Sequence, residues 1–318
     1  MRVMNNGDYE LFERLVSLEQ NELRRAMIKF LRSKYDNVIV NQHYLVAIGE
    51  IPIALVAHMD TVFPSPALEL YYDRRKNVMW SPDGLGADDR AGVFAILKII
   101  QAGLRPSIIL TTDEEKGGIG ACALAVSEYP FDSVDLKYMI ELDRRGKNDC
   151  VFYECYCPEF THYVESFGFE EAQGSFSDIS FLMSQWGICG VNLSVGYENE
   201  HSLSEILHVG ALYDTIDKVK IMLRQEEIPE FEYDEVPSLY SWYATKEIYG
   251  QHCSKCKKLY SEYELIPVKC EDGTMKYYCP DCVVGAVEWC EECGKAFENP
   301  DGTTKICKEC LEDVYVGN

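Results

Sequence analysis

The chain has 318 residues, enough for one sizeable core and a small appendage. With 53 acidic against 30 basic residues the formal net charge is -23, which works against non-specific binding to nucleic acid or anionic membrane, and a hydrophobic share of 47% is ordinary for a globular protein. No run approaches the ~20 apolar residues of a membrane span, and no basic flank leads into an apolar stretch near Met1, so neither a membrane segment nor a signal peptide is expected.

Leu11, Leu15, Leu18, Leu23, Met27, Phe30 and Leu31 recur at helical spacing and predict one amphipathic helix over residues 9–33. Short apolar runs follow at 44–48, 53–57, 107–112, 137–142 and 188–195. Unbroken runs of that length suit strands buried on both faces of a sheet. Helical patterns lie among them at 90–102, 117–128, 158–167, 177–185 and 205–224. Alternation of this kind predicts an α/β domain over residues 1–225, with a mainly parallel central sheet flanked by helices. Composition shifts after Gln225. Residues 226–237 hold six acids, two prolines and no base, so residues 226–249 read as an acidic linker or an edge segment draped over the domain.

Residues 250–318 form a cysteine-rich module. Cys253/Cys256, Cys279/Cys282, Cys290/Cys293 and Cys307/Cys310 are Cys-x-x-Cys pairs, and eight thiolates suffice for two tetrahedral structural zinc sites. The intervals of 22, 7 and 13 residues favour two consecutive ribbons, the first two pairs together and the last two together. A cross-braced pairing stays open, and Cys270 or His252 could substitute as a ligand. A module this small needs its metal to fold. It carries eight lysines, no arginine and thirteen acids, which is unsuited to phosphate. A structural or protein-contact role is expected, including contacts within a homo-oligomer. Thiols committed to metal, with no export signal in view, point to the reducing cytoplasm.

Candidate chemistry lies in the first 225 residues. His58 directly follows the run 53–57, and Asp113, Glu114 and Glu115 follow 107–112. Asp143 ends the run 137–142, and His201 lies just past 188–195. Each therefore falls at the carboxyl edge of a predicted strand, where open α/β sheets bind ligands. Imidazole and carboxylate oxygen suit zinc, and also cobalt or manganese. Asp60, two residues after His58, is placed to accept the other imidazole N–H. Asp88 sits in a Gly-rich turn before a helix and can bridge two ions. Glu114 and Glu115 are adjacent, so one can bind metal while its neighbour acts as base. Ser202 and Glu205 read as a capping box that starts a helix just after His201. Asp89 and Arg90 read as supports of their turn. Cys155 and Cys157 read as buried small hydrophobes.

His58-x-Asp60, Gly86-Ala87-Asp88-Asp89-Arg90-Ala91-Gly92, Asp113-Glu114-Glu115-x-Gly117, Asp143 and His201-Ser202 resemble, in order, the motifs of the co-catalytic zinc exopeptidases. That group includes peptidase T, carboxypeptidase G, succinyl-diaminopimelate desuccinylase and the secreted leucine aminopeptidases, and the likeness covers residues 45–215. The resemblance implies two active-site divalent metals, one on His58 and Asp143 and the other on Glu115 and His201, bridged by Asp88. It implies that Glu114 activates a metal-bridged water for attack on a peptide carbonyl, and that the Asp88–Asp89 peptide is cis. An aspartate at position 143 leans towards an aminopeptidase or dipeptidase. Arg144, Ser177 and Asp178 are the candidate substrate-binding residues, the last two in a Gly- and Asp-containing loop similar to one that these families place near the substrate. Only 57 residues separate Asp143 from His201, and 29 separate His58 from Asp88, too few for the lid or small domain that relatives insert there. A lidless domain is therefore expected. Hydrolysis of N-acyl amino acids or another small amide, and a non-catalytic zinc-binding adaptor, are the alternatives.

Overall fold

The computed structural model describes residues 2–234, 250–261, 265–269, 274–283, 287–289 and 296–298. It divides into two units, Met1–Val236 and Pro237–Asn318. In the first, an eight-stranded sheet has the order β1-β2-β6-β3-β7-β10-β8-β9. Its strands are β1 (Asn37–Val40), β2 (Tyr44–Ile48), β3 (Ile51–His58), β6 (Pro106–Thr111), β7 (Tyr138–Arg144), β8 (Asp149–Val151), β9 (Glu170–Glu171) and β10 (Gly190–Ser194). The four at the centre, β6, β3, β7 and β10, run parallel, while β1, β2 and β8 pair antiparallel with their inner neighbours. Every residue of β6 is buried, and so are residues 53–58 of β3, as their apolar runs require.

Two sets of helices flank this sheet. Helices α1 (Asn6–Val16), α3 (Ala87–Gln101) and α7 (Val209–Met222) pack together, and α4 (Ile119–Ala125) packs with α6 (Asp178–Trp186). Phe94 of α3 meets Phe12 of α1 and Tyr213 of α7 edge-on, with ring centroids 5.7 and 6.3 Å apart. All three rings are essentially buried, and each such side chain contributes roughly 1.5–3 kcal/mol. No helix among the described residues is long and apolar enough to cross a membrane.

Three local readings change. Residues 9–33 form two helices, α1 and α2 (Gln20–Arg32), because Glu19 and Glu22 make a reciprocal capping box and the Leu18 carbonyl accepts from the Arg90 guanidinium at 3.0 Å. A carbonyl inside a continuous helix would be committed to the next turn. A second, four-stranded sheet has the order β11-β12-β5-β4, with β4 (Tyr71–Asp73), β5 (Val78–Trp80), β11 (Tyr197–Glu198) and β12 (Ile206–His208). Consequently the helical pattern over 205–224 starts only at Val209, since 206–208 pair with β5. These strands of two or three residues are too short to show a period.

The remaining helix of this unit is α5 (Pro158–Glu165). Of the acidic segment, residues up to 234 belong to the domain surface. Phe231 packs on Phe160 at 4.8 Å, and the Asp234 carbonyl accepts from the Tyr156 N–H at 2.8 Å. Residues 235–249 lie outside the described residues. Cys155 and Cys157 are buried.

Among its described residues the second unit has three antiparallel strand pairs: β13 (Gly250–His252) with β14 (Leu259–Ser261), β15 (Ile266–Lys269) with β16 (Met275–Tyr278), and β17 (Val287–Trp289) with β18 (Ala296–Glu298). Its small core includes Cys253, Val268, Tyr278 and Cys279.

Candidate active site

Strand register assembles the site. His58 pairs with Thr111, so the loop that follows β6 begins beside His58. Val56 pairs with Glu141, which sets Asp143 level with His58 on the next strand. Asp88 stands at the start of α3, and His201 lies in the loop between β11 and β12. The Asp88–Asp89 peptide is cis.

Asp88 lies between the histidines. Its Oδ1 is 3.0 Å from His58 Nε2, and its Oδ2 is 3.2 Å from His201 Nε2. On one side Asp143 Oδ1 is 3.6 Å from His58 Nε2. On the other, Glu115 Oε2 is 3.0 Å from His201 Nε2. Two donor sets therefore meet at one carboxylate, each with an imidazole and a second carboxylate.

Asp60 backs this arrangement. Its Oδ1 is 3.2 Å from His58 Nδ1. Its two oxygens also accept the backbone N–H groups of Glu114 (3.0 Å) and Glu115 (3.1 Å). Asp89 accepts from the backbone N–H of His58 at 3.2 Å and of Gly92 at 2.9 Å, so it holds the turn against β3. Arg90 is buried and donates to the Met59 and Leu18 carbonyls.

Such a concentration of acids is electrostatically costly unless cations join it. Burial, reinforced by Asp143, Asp178 and Glu115, pushes Glu114 up to about 9. Burial and the neighbouring Asp88 charge raise Glu115 to about 7 and Asp143 to about 6. Burial alone would lower His58, but the Asp143, Asp60 and Asp88 carboxylates raise it well above its usual value. Hydrogen bonding to Asp88 raises His201 to about 9. Glu115 Oε1, both oxygens of Glu141 and Asp178 Oδ1 are buried without a hydrogen-bond partner. Candidate ligand atoms of His58, Asp88 and Glu115 lie within 4.8 Å of one another, as do those of His58, Asp89 and Asp143. Clustered imidazoles and carboxylate oxygens, with an orphaned buried oxygen among them, fit divalent cations.

The three candidate substrate residues each have partners within the protein. Ser177 is buried and donates to Asp143 Oδ2 at 3.0 Å. Asp178 is fully buried and accepts the Thr111 hydroxyl, so it stands behind the site rather than on a pocket wall. Arg144 donates to the Gln173 carbonyl at 3.0 Å, while its neighbour Arg145 pairs with Glu200 at 2.6 Å.

Some supporting residues escaped the sequence reading. Tyr197 donates its hydroxyl to Asp143 Oδ1 at 3.0 Å. The Asn192 amide clamps the Asp143 backbone, accepting its N–H at 3.0 Å and donating to its carbonyl at 2.9 Å. A lone amide inside the apolar run 188–195 was the available signal for Asn192. Glu205 corrects a reading outright: no helix starts at Ser202. The Glu205 side chain instead turns into the core and accepts from Gly86 N (2.7 Å) and Asp88 N (3.0 Å).

In the second unit, Cys253, Cys256, Cys279 and Cys282 come together with their sulfur atoms within 4.8 Å of one another. Although burial raises the Cys253 thiol, the backbone N–H groups of Cys279, Cys256 and Lys255 outweigh it and bring Cys253 down to about 6. A sulfur that ionises this readily is suited to metal ligation. His252 is exposed, with Nδ1 3.0 Å from the Lys257 carbonyl. Cys270, Cys290, Cys293, Cys307 and Cys310 lie outside the described residues.

No protein-family model and no curated protein sequence matches the chain. Solved structures do. A TET aminopeptidase from a marine-sediment Thaumarchaeota archaeon aligns with a TM-score of 0.57 and 13% identity, covering 70% of this chain and 98% of that one. A tripeptidase from Staphylococcus aureus aligns with a TM-score of 0.53 and 16% identity, covering 70% and 100%. The aminopeptidase PepT of Bacillus cereus aligns with a TM-score of 0.51 and 16% identity, covering 67% and 96%. The chain thus shares the α/β fold of these aminopeptidase and tripeptidase structures.

Proposed function

We propose that the chain is a two-metal aminopeptidase or dipeptidase. The carrying observation is Asp88, whose two oxygens each face a different histidine at 3.0 and 3.2 Å. His58 and Asp143 would hold one ion and His201 and Glu115 the other, with Asp88 shared. Bound there, the ions would supply Lewis acidity, lowering the pKa of water towards ~7 and polarising a carbonyl. Glu114 takes the proton of the attacking water and returns it to the leaving amine. It is buried, and cations bound beside it would lower its proton affinity from the value of about 9 that burial imposes. Asp60 orients His58 and, through the Glu114 backbone, the base itself. Tyr197 and Ser177 hold one oxygen each of Asp143.

The names of the fold relatives, an aminopeptidase and a tripeptidase among them, support short peptides with a free amine as substrates. The four gathered cysteines of the second unit support a structural zinc there. A panel of di- and tripeptides, each with a free or an acetylated amine, tests the reaction on zinc-, cobalt- and manganese-loaded protein. Faster hydrolysis of the free-amine set supports the proposal. Preference for the acetylated set would make the chain a deacylase.

A further inference from the structure

We infer that Glu205 is a positioning residue that locks together the two segments carrying Asp88 and His201. The inference rests on the two-metal reading above, and it names a determinant that the ligand set does not contain. Glu205 is fully buried. Its Oε2 accepts from Gly86 N at 2.7 Å and its Oε1 from Asp88 N at 3.0 Å. These N–H groups belong to the turn that opens α3. Gly86, the residue before that helix, has φ +64 and no side chain to cap it. Asp88 and Asp89 depart from helical dihedrals, so these N–H groups precede the regular part of α3, and a carboxylate from far along the chain accepts from them. Each of its two oxygens thus satisfies a backbone donor of this turn.

The same carboxylate is tied to His201. Only residues 202–204 separate the two, and the Glu205 N–H closes a turn on the Ser202 carbonyl at 3.0 Å. Immediately afterwards Ile206 enters β12 and pairs with Trp80. Glu205 is thus the last residue of the His201 loop before the chain is fixed in the second sheet. Through it the loop grips the backbone of Asp88, whose Oδ2 faces His201 at 3.2 Å. Two ligands from distant segments thereby acquire a common support, in the way that bonded partners around a metal orient its ligands.

Glutamine at 205 keeps one acceptor oxygen for two N–H groups, and aspartate keeps both oxygens but falls one methylene short. The test uses the full chain loaded with cobalt. Absorption of the active-site ions is followed during titration with a competing chelator, with the thiolate-to-cobalt band of the cysteine cluster as an internal reference. Glu205→Gln and Glu205→Asp are expected to bind active-site cobalt about 10- to 100-fold more weakly, with the thiolate band unchanged. A purely structural cap would lower the thermal midpoint and leave cobalt affinity within about twofold of wild type, and that result overturns the inference. Should Glu205→Gln fail to fold, Glu205→Asp, which preserves the carboxyl group, decides the matter by the same criterion. Wild-type protein that takes up no cobalt outside the thiolates would instead refute the two-metal reading itself.

Discussion

In the proposed reaction Asp88 and Glu114 divide the labour of the site at the scale of single side chains. Asp88 is flanked by both imidazoles, whereas burial, with nearby carboxylates behind it, raises the proton affinity of Glu114. Replacing Glu114 with glutamine removes the proton acceptor and leaves every ligand in place. The expected loss in kcat is roughly 10²- to 10⁴-fold with bound metal unchanged, measured by steady-state kinetics beside elemental analysis. A variant that hydrolyses peptides at the wild-type rate would assign the base elsewhere. His58, Asp143 and His201 were legible in the sequence because each ends or follows an apolar run, and Asp88 because it sits in a Gly-rich turn before a helix. Tyr197 and Glu205 were not, because their partners Asp143 and Gly86 are remote in sequence and only the folded register brings them near. Glu205 also mimicked a capping box, a local pattern that its burial overrides.

Among the elements, α3 sets the tightest constraint. A Cβ on Gly92 would stand 2.2 Å from the Leu142 carbonyl and 2.5 Å from both Asp89 carboxylate oxygens, so α3 can approach β7 only with glycine there. Gly92→Ala is expected to cost about 1–3 kcal/mol, read as a lower urea midpoint, and an unchanged midpoint would contradict this contact. Asp8 of α1 ties the same layer together, accepting from Lys98 of α3 at 2.7 Å and from the Tyr213 hydroxyl of α7 at 2.5 Å. Burial opposes its ionisation, but these bonds outweigh burial and hold its pKa below the usual carboxylate value. A lowered folded-state pKa means stability that is present above the unfolded value, near ~3.9, and lost as pH falls through the folded one. Asp8→Asn should therefore flatten the acid limb of an unfolding-midpoint profile below about pH 4, and an unaltered limb would remove Asp8 from that account. The long buried strands announced themselves by composition, whereas β4, β5, β11 and β12 are too short to carry a period, and the break between α1 and α2 depends on a distant arginine.

Taken whole, the molecule joins an open α/β domain to a cysteine-rich unit. The 57 residues between Asp143 and His201 include β8, α5, β9, α6, β10 and β11, all within the first unit. Elemental analysis is expected to find about four bound metals per chain, two at the carboxylate–histidine site and two on cysteines. Cys253→Ser should remove one of the cysteine-bound ions and leave the active-site pair, and loss of the pair would show that the two units do not bind metal independently. The central claim is that Asp88 is shared between two ions. Anomalous diffraction at the zinc edge from crystals of the zinc-loaded protein tests it most directly. Two peaks are expected, one touching His58 and Asp143 and the other His201 and Glu115, with Asp88 reaching both. A single peak, or a pair that Asp88 does not bridge, would contradict it.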